Sequence, residues 1–446
     1  MTYRIVKCYD RLSGAFAGYL STHGNNVTVV SDEKDATPFN WYHYGSDLYL
    51  TKNSSPARYL GEAGGKRADW GLWAGDYCAP VIYNADSSVS LASAPGRRLR
   101  LPSGDDRVFW SDDDTATDIL QIDLGHPRAW LANVPGTTLI GDINLPGTHD
   151  SAAIDKKKVT PYSCHYRTIT QQLEAGVRLL DVRLMIKTNP SGPPAYTFMT
   201  CHGNVGLGHE AHVYQTFHSL LVECRDFLAA YPSEFIAMSL KIDDQNAVPD
   251  ADMPAVLTAL DAVLANELIA PSWPTAMLPL ATMRGKIYLL DRIVPALLDP
   301  NRQPPLAPSV AAQVATHGYG VPLGIDDNTP GQLMPADPRR AFEIYVQDQY
   351  EKLADTPPVA YIVKYNLFID ALPHKPAGGL LINFASGTWA LSGVYIQVPV
   401  IEYIAQHRPT TLGWSLFDYE ETSTSTDLGP INAVEAIIAS NFGYPS

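Results

Sequence analysis

From residue 1 to about residue 125, apolar and polar positions alternate in short runs broken by Gly, Ser, Asn and Asp, and no run keeps helical spacing. A period of two puts successive side chains on opposite faces of a strand, so this region predicts an all-β unit of short strands and turns. Beyond "GHPRAWLANVPGTT", a linker carrying proline and glycine, the pattern changes. Continuous apolar runs now stand out: "LIGDINLPGTHD", "VRLLDVRLMI", "YTFMTCHG", "FIAMSLKID", "GKIYLLDRI", "EIYVQDQY", "GLLINFAS" and "LGWSLFDYE". Runs of this kind suit strands buried on both faces. Helical patterning falls between most of them, in "TITQQLEAG", "HVYQTFHSLLVECRDFLAAY", "DADMPAVLTALDAVLANELI", "AYIVKYNLFIDAL" and "VPVIEYIAQH". Eight strands interleaved with helices predict a distorted (β/α)8 TIM-type barrel, whose chemistry gathers where its strands end. The expected domains are therefore an all-β unit over 1–127 and an α/β barrel over 134–446.

The β region repeats itself faintly. "AGYLSTHGNNVTVVSD", "ARYLGEAGGKRADWGLWAGD" and "GRRLRLPSGDDRVFWSDD" each carry a leucine (Leu20, Leu60, Leu99) leading into an aromatic or β-branched strand, a period of about 40 residues. Three such units resemble a β-trefoil, the threefold fold of ricin-type lectins, with a β-sandwich as the alternative. Trp41, Tyr44, Trp70, Trp73 and Trp110 either stack on sugar faces, which makes a glycan a candidate partner, or fill the core of a small β domain.

Composition narrows the partners. A chain of 446 residues with 46% hydrophobic and 18% charged residues folds throughout, and its net charge of −15 with a pI of about 5.2 argues against nucleic acid. Lys156, Lys157 and Lys158 form the one conspicuous basic run, either a solvated turn or a contact with an anionic membrane surface. The five cysteines (Cys8, Cys78, Cys164, Cys201, Cys224) have neither disulfide-framework nor zinc spacing. The start "MTYRIVKCYD" carries no leader pattern and no stretch reaches 18 apolar residues. A soluble chain is expected, and an exported form lacking its leader would read identically.

Polar residues punctuate the strand ends of the second region in an ordered series. His149 and Asp150 close the first strand, Asp181 and Arg183 lie in the second, and His202 follows the third; Lys241, Asp243, Arg292, Asp348, Tyr350 and Asp418 come later. Two histidines and an arginine suit phosphodiester cleavage by an internal hydroxyl. One imidazole accepts the attacking proton, a second group protonates the leaving oxygen, and a guanidinium offsets charge on the nonbridging oxygens.

On these residues the chain resembles bacterial phosphatidylinositol-specific phospholipase C. "LPGTHDS", "QLEAGVRLLDVRL", "TCHG", "YPSEFIAMSLK", "RGKIYLLDR" and "EIYVQDQYEKL" carry the similarity from about residue 135 to the C-terminus, leaving the first 130 residues outside it. The resemblance implies a barrel that converts phosphatidylinositol into diacylglycerol and inositol 1,2-cyclic phosphate. It implies His149 as general base, His202 as general acid, Arg183 as the phosphate-stabilising cation, and Asp150 as the carboxylate beside it. Asp181 would orient the cation or an imidazole, and Asp418 would hold the base histidine's other ring nitrogen. Asp348 and Tyr350 would bind inositol, with Lys241 and Arg292 contacting its hydroxyls.

Because Arg183 stands where metal-dependent relatives gather calcium ligands, no metal or other cofactor is expected, although Asp150, Asp181 and Asp243 could collect a stray cation. The expected partner is phosphatidylinositol in a bilayer, or a glycosylphosphatidylinositol anchor, met by transient surface contact with Trp389 and Tyr395 as candidate inserting residues. A monomer acting outside the cell completes the expectation. The alternatives are a metal-dependent glycerophosphodiester or sphingomyelin-type phosphodiesterase, which needs acidic ligands where Arg183 stands, and a non-catalytic glycan-binding protein.

Overall fold

The computed structural model describes residues 7–442 apart from 11–15, 24–25, 33–34, 36–38, 45–46, 53–57, 64–66, 72–78, 84–88, 103–106, 113–118, 124–126, 155–162, 203–211, 244–247, 266–275, 327, 337, 351–356, 388–391, 420–421 and 427–428. The Lys156–Lys158 run, Trp73 and Trp389 lie outside the described residues, as do the side chains of Trp41, Tyr44 and Trp70. Two compact units divide the chain: Met1–His126 with Ser425–Ile431 and Tyr444–Ser446, and Pro127–Thr424 with Asn432–Gly443.

The first unit is all β among the described residues. Its strands are β1 (Lys7–Asp10), β2 (Phe16–His23), β3 (Asn26–Val30), β4 (Phe39–Tyr44), β5 (Asp47–Lys52), β6 (Arg58–Ala63), β7 (Arg67–Gly71), β8 (Val81–Tyr83), β9 (Val89–Leu91), β10 (Ala94–Arg100), β11 (Phe109–Ser111) and β12 (Leu120–Asp123). The hairpins β2–β3, β6–β7 and β10–β11 meet one another through β3–β7, β7–β11 and a Thr28–Arg107 bridge. The three repeat leucines, Leu20, Leu60 and Leu99, are fully buried in one core cluster. Trp110 belongs to that core as well: it is 1% exposed and its Nε1–H donates to the Gly61 carbonyl at 2.9 Å. This corrects its candidacy as a sugar-stacking residue, since a ring that fills the core cannot face a ligand.

The second unit is built on one curled sheet. In chain order its strands are β13 (Leu145–Thr148), β14 (Leu179–Thr188), β15 (Tyr196–His202), β16 (His212–Thr216), β17 (Ile236–Ile242), β18 (Ile287–Asp291), β19 (Val321–Pro322), β20 (Gln332–Met334), β21 (Ile344–Gln347), β22 (Leu380–Phe384) and β23 (Trp414–Phe417). Eight of them run parallel in the order β19-β18-β17-β14-β13-β23-β22-β21, and among the described residues no pairing joins β19 to β21. Three expectations change here. "YTFMTCHG" becomes β15, which turns back antiparallel on β14 instead of joining the parallel set, and the eighth parallel strand is the two-residue β19. The segment "HVYQT" is strand β16 rather than the start of a helix, because it pairs with β15 and Thr216 then caps helix α2 (Phe217–Ala230) by accepting from the Ser219 N–H.

Buried polar side chains fasten the sheet to its surroundings. Asn144, just before β13, donates from Nδ2 to the Thr410 carbonyl and Ser440 Oγ, and accepts at Oδ1 from the Leu412 and Gly413 N–H groups. One amide thereby ties the first parallel strand to the approach of the last. Arg178 and Glu234, both fully buried, pair at 2.8–2.9 Å, and the remaining guanidinium N–H groups reach the carbonyls of Leu173, Val177 and Arg128.

Candidate active site

The sequence "LPGTHDS" builds the first wall of the site. Its strand β13 lies so close to β14 that a Cβ on Gly147 would come within 2.9 Å of the Leu179 side chain. After Thr148 and His149 the chain turns at Asp150, which takes a left-handed backbone (φ 46°) that aspartate tolerates better than most residues. A buried network fixes the turn: Thr148 Oγ1 donates to Gln172 Oε1 at 2.8 Å, Gln172 Nε2 donates to the Ser151 carbonyl, and Ser151 Oγ accepts the Asp181 N–H. Gln172 sits in α1 (Ile169–Glu174), started by a Thr168–Gln171 capping box.

From this turn the two side chains diverge. His149 Nδ1 lies 2.9 Å from Asp418 Oδ1, just past β23, and its Nε2 lies 2.7 Å from an Arg183 Nη. Both contacts are satisfied by a neutral imidazole that donates from Nδ1 to the carboxylate and accepts at Nε2. Asp150, 1% exposed, sends Oδ2 to 3.4 Å from Arg183 Nε and 3.2 Å from His202 Nε2. The carboxylate therefore stands between the guanidinium and the second histidine, which lies at the end of β15.

Strand periodicity places the cations. Asp181 and Arg183 are two residues apart on β14 and share a face, and the parallel register sets Arg183 beside Lys241 of β17. Arg183 Nε lies 3.4 Å from Asp181 Oδ2 and Arg183 Nη1 3.7 Å from Asp243, which Lys241 Nζ meets at 2.8 Å. Arg292, after β18, bridges Asp181 at 3.6 Å and Asp348 at 3.7 Å. Tyr350 is fixed through its backbone N–H, which donates to Asn328 Oδ1. A cleft of about 720 Å³ opens beside these groups, lined by Lys241, Arg292, Leu323, Asp326 and Arg339 among others.

Burial and mutual charge set the protonation states. Burial works against the His149 imidazolium, but the Asp418 carboxylate, aided by Asp150, raises His149 above its ordinary value despite the opposing Arg183. Burial alone would raise the Asp418, Asp181 and Asp243 carboxyls; His149 for the first and Arg183 for the other two lead the charges that hold them below the usual range. Arg183 is held firmly protonated, since Asp150, Asp243 and Asp181 overcome its burial. Asp348 goes the other way: burial raises it in spite of Arg292.

Sequence reasoning missed two members of this pocket. Lys364, fully buried on α3 (Pro357–Ala371), donates to Gln347 Oε1 and the Gln349 carbonyl, and burial lowers it to about 7 against the pull of Asp348 and Asp418. Cys164 Sγ lies within 4.8 Å of ligand atoms of His149 and Asp418, and likewise of Asp150 and His202. Neither carries a local signal, for each reaches the pocket through tertiary packing.

The fold of the second unit matches solved structures. Two solved structures of phosphatidylinositol-specific phospholipase C from Staphylococcus aureus superpose with TM-scores of 0.52 and 0.53 at 20% and 21% identity, covering 71% of this chain and 98% of each enzyme. The barrel has the fold of bacterial phosphatidylinositol-specific phospholipase C. The 1-phosphatidylinositol phosphodiesterase of S. aureus strain Newman is 24% identical over 312 residues, 66% of this chain and 88% of that enzyme. Its Listeria monocytogenes counterpart is 29% identical over 125 residues, 27% of this chain and 34% of that enzyme. No protein-family model matches the chain. The phospholipase fold accounts for the unit that holds the site, from β13 onward.

Proposed function

We propose that this protein is a phosphatidylinositol-specific phospholipase C. It cleaves phosphatidylinositol to diacylglycerol and inositol 1,2-cyclic phosphate with its own side chains and no required metal. The observation that carries the reading is His149 held between Asp418 and Arg183, with His202 across Asp150 from the same guanidinium. The inositol 2-hydroxyl attacks phosphorus and passes its proton to His149 Nε2, while Asp418 receives the Nδ1–H and steadies the imidazolium that forms. Arg183 turns from His149 to the nonbridging oxygens, where a fixed cation offsets the charge that grows on them. The bond from phosphorus to the diacylglycerol oxygen breaks as His202 supplies that oxygen's proton. Asp150 and Asp181 aim the guanidinium, and Lys241, Arg292, Asp348 and Tyr350 bind the inositol ring. Support for this substrate comes from the S. aureus and Listeria relatives, which are 1-phosphatidylinositol phosphodiesterases.

The reading extends to the rest of the molecule. Contact with the bilayer is assigned to the face of α3 and α4 (Ser392–His407), where Val359, Ile362 and Tyr395 are exposed and Tyr361 stacks on Tyr395 at 4.9 Å. The domain division is 1–127 and 134–446. Three mutually paired hairpins and three equivalent buried leucines support a β-trefoil for the first, with glycan binding as its role. A glycosylphosphatidylinositol anchor is the alternative substrate, and action as a monomer outside the cell completes the proposal.

The test is release of inositol cyclic phosphate from phosphatidylinositol vesicles, with and without EDTA, by the wild type beside His149→Ala and His202→Ala. Release that survives EDTA and falls by roughly 10²–10⁴-fold in each variant is the expected result. Loss on EDTA treatment would instead favour the metal-dependent phosphodiesterase, and inactivity of all three proteins the glycan-binding protein.

A further inference from the structure

A set of metal-ligating groups lies in the pocket around a side chain that the proposed reaction leaves idle. Cys164 is a free thiol, 6% exposed, and its main chain is pinned at both ends: its N–H donates to the Ala153 carbonyl at 2.8 Å, and its carbonyl accepts the Tyr419 N–H at 2.7 Å. Sγ is thereby held between the turn after β13 and the turn after β23. Its distance to one ligand atom each of Asp150 and His202 is within 4.8 Å, as is the distance between those two. Asp150 Oδ2 is enclosed and accepts no hydrogen bond among the described residues, with His202 Nε2 at 3.2 Å and Arg183 Nε at 3.4 Å beside it.

Thiolate, imidazole and carboxylate together are the donors of Zn²⁺, whose tetrahedral ligands stand about 3.5 Å apart, so a small inward adjustment would close the three around one ion. Calcium and magnesium take oxygen ligands and would leave the sulfur unused. We propose that Cys164, Asp150 and His202 form a Zn²⁺ site that switches the enzyme off when filled. The neighbouring set of Cys164, His149 and Asp418 is the poorer host, because His149 Nδ1 is already bonded to Asp418 and its Nε2 to Arg183. Arg183 retains Asp181 and Asp243 when Asp150 turns to the metal. On binding, the thiol proton and the acid proton on the ligating nitrogen of His202 leave to solvent and three protein–zinc bonds form, with solvent in the fourth position. Inhibition follows because a metal-bound His202 has no proton to give, a step that rests on the role proposed for His202.

Binding is tested apart from activity, by titrating the reduced full-length protein with Co²⁺ and recording the near-ultraviolet sulfur-to-cobalt charge-transfer band. The site predicts a band saturating at one ion per chain, absent from Cys164→Ser, and a Zn²⁺ affinity about tenfold or more weaker in that variant and in His202→Gln. The second variant keeps the thiol and does not rely on Cys164→Ser folding. A wild type without the band, a band undiminished by Cys164→Ser, or a His202→Gln affinity equal to wild type would each overturn the assignment. In the vesicle assay, Zn²⁺ should inhibit the wild type reversibly by EDTA and Cys164→Ser only at about tenfold higher concentration. Equal inhibition of the two would refute the switch, whereas a chain that binds Co²⁺ through Cys164 but cleaves no phosphatidylinositol would refute only the activity.

Discussion

At the scale of single residues, the site works by holding opposite protonation tendencies side by side. In the proposed reaction His149 must be neutral to accept a proton, yet Asp418 raises its pKa, so the acidic limb of activity should rise through that raised value. Asp418→Asn removes the raising charge and should move that limb to lower pH while lowering the maximal rate, which a pH profile of cyclic phosphate release checks. The same shifts act on stability with opposite signs. The His149 contribution is present below its unfolded value near 6.5 and is lost as pH rises through the raised folded value. Those of Asp181, Asp243 and Asp418 are complete above the unfolded value near 3.9 and are lost as pH falls through their depressed folded values.

At the scale of elements, the turn after β13 and the strand β14 do most of the positioning, and the buried Arg178–Glu234 pair supports them from behind. Glu234→Gln or Arg178→Met leaves one buried charge without its partner and should cost about 3–5 kcal/mol, read from urea unfolding. Much of this was legible in the sequence. Unbroken apolar runs give the parallel strands, period two sets Asp181 and Arg183 on one face, and "LPGTHDS" marks the strand end that carries the first histidine. What stayed hidden depends on partners distant in the chain. β19 is two residues long, β15 turns antiparallel only because it folds back on β14, and "HVYQT" is extended because β15 offers it an edge. Cys164 joins the site through main-chain bonds to Ala153 and Tyr419, the latter 255 residues away (419 − 164 = 255), and no spacing rule announces such a meeting.

At the scale of the whole molecule, the activity proposed on a bilayer lipid needs a place to touch the surface, and no described helix is long and apolar enough to cross a membrane. Replacing Ile362 and Val359 by Ser should therefore weaken association with phosphatidylinositol vesicles in sedimentation while leaving cleavage of a short-chain soluble substrate intact. The parallel sheet has its own large-scale asymmetry. Its middle, β14-β13-β23, has neighbours on both sides and is clamped by Asn144, whereas β19 ends the parallel set with two residues and one partner. Amide hydrogens should report this as a gradient of opening free energies, with exchange slow across β13 and β14 and fast in β19. The second unit would then begin to unfold at β19, four strands along the sheet from β13, so early opening would leave the turn at Asp150 in place.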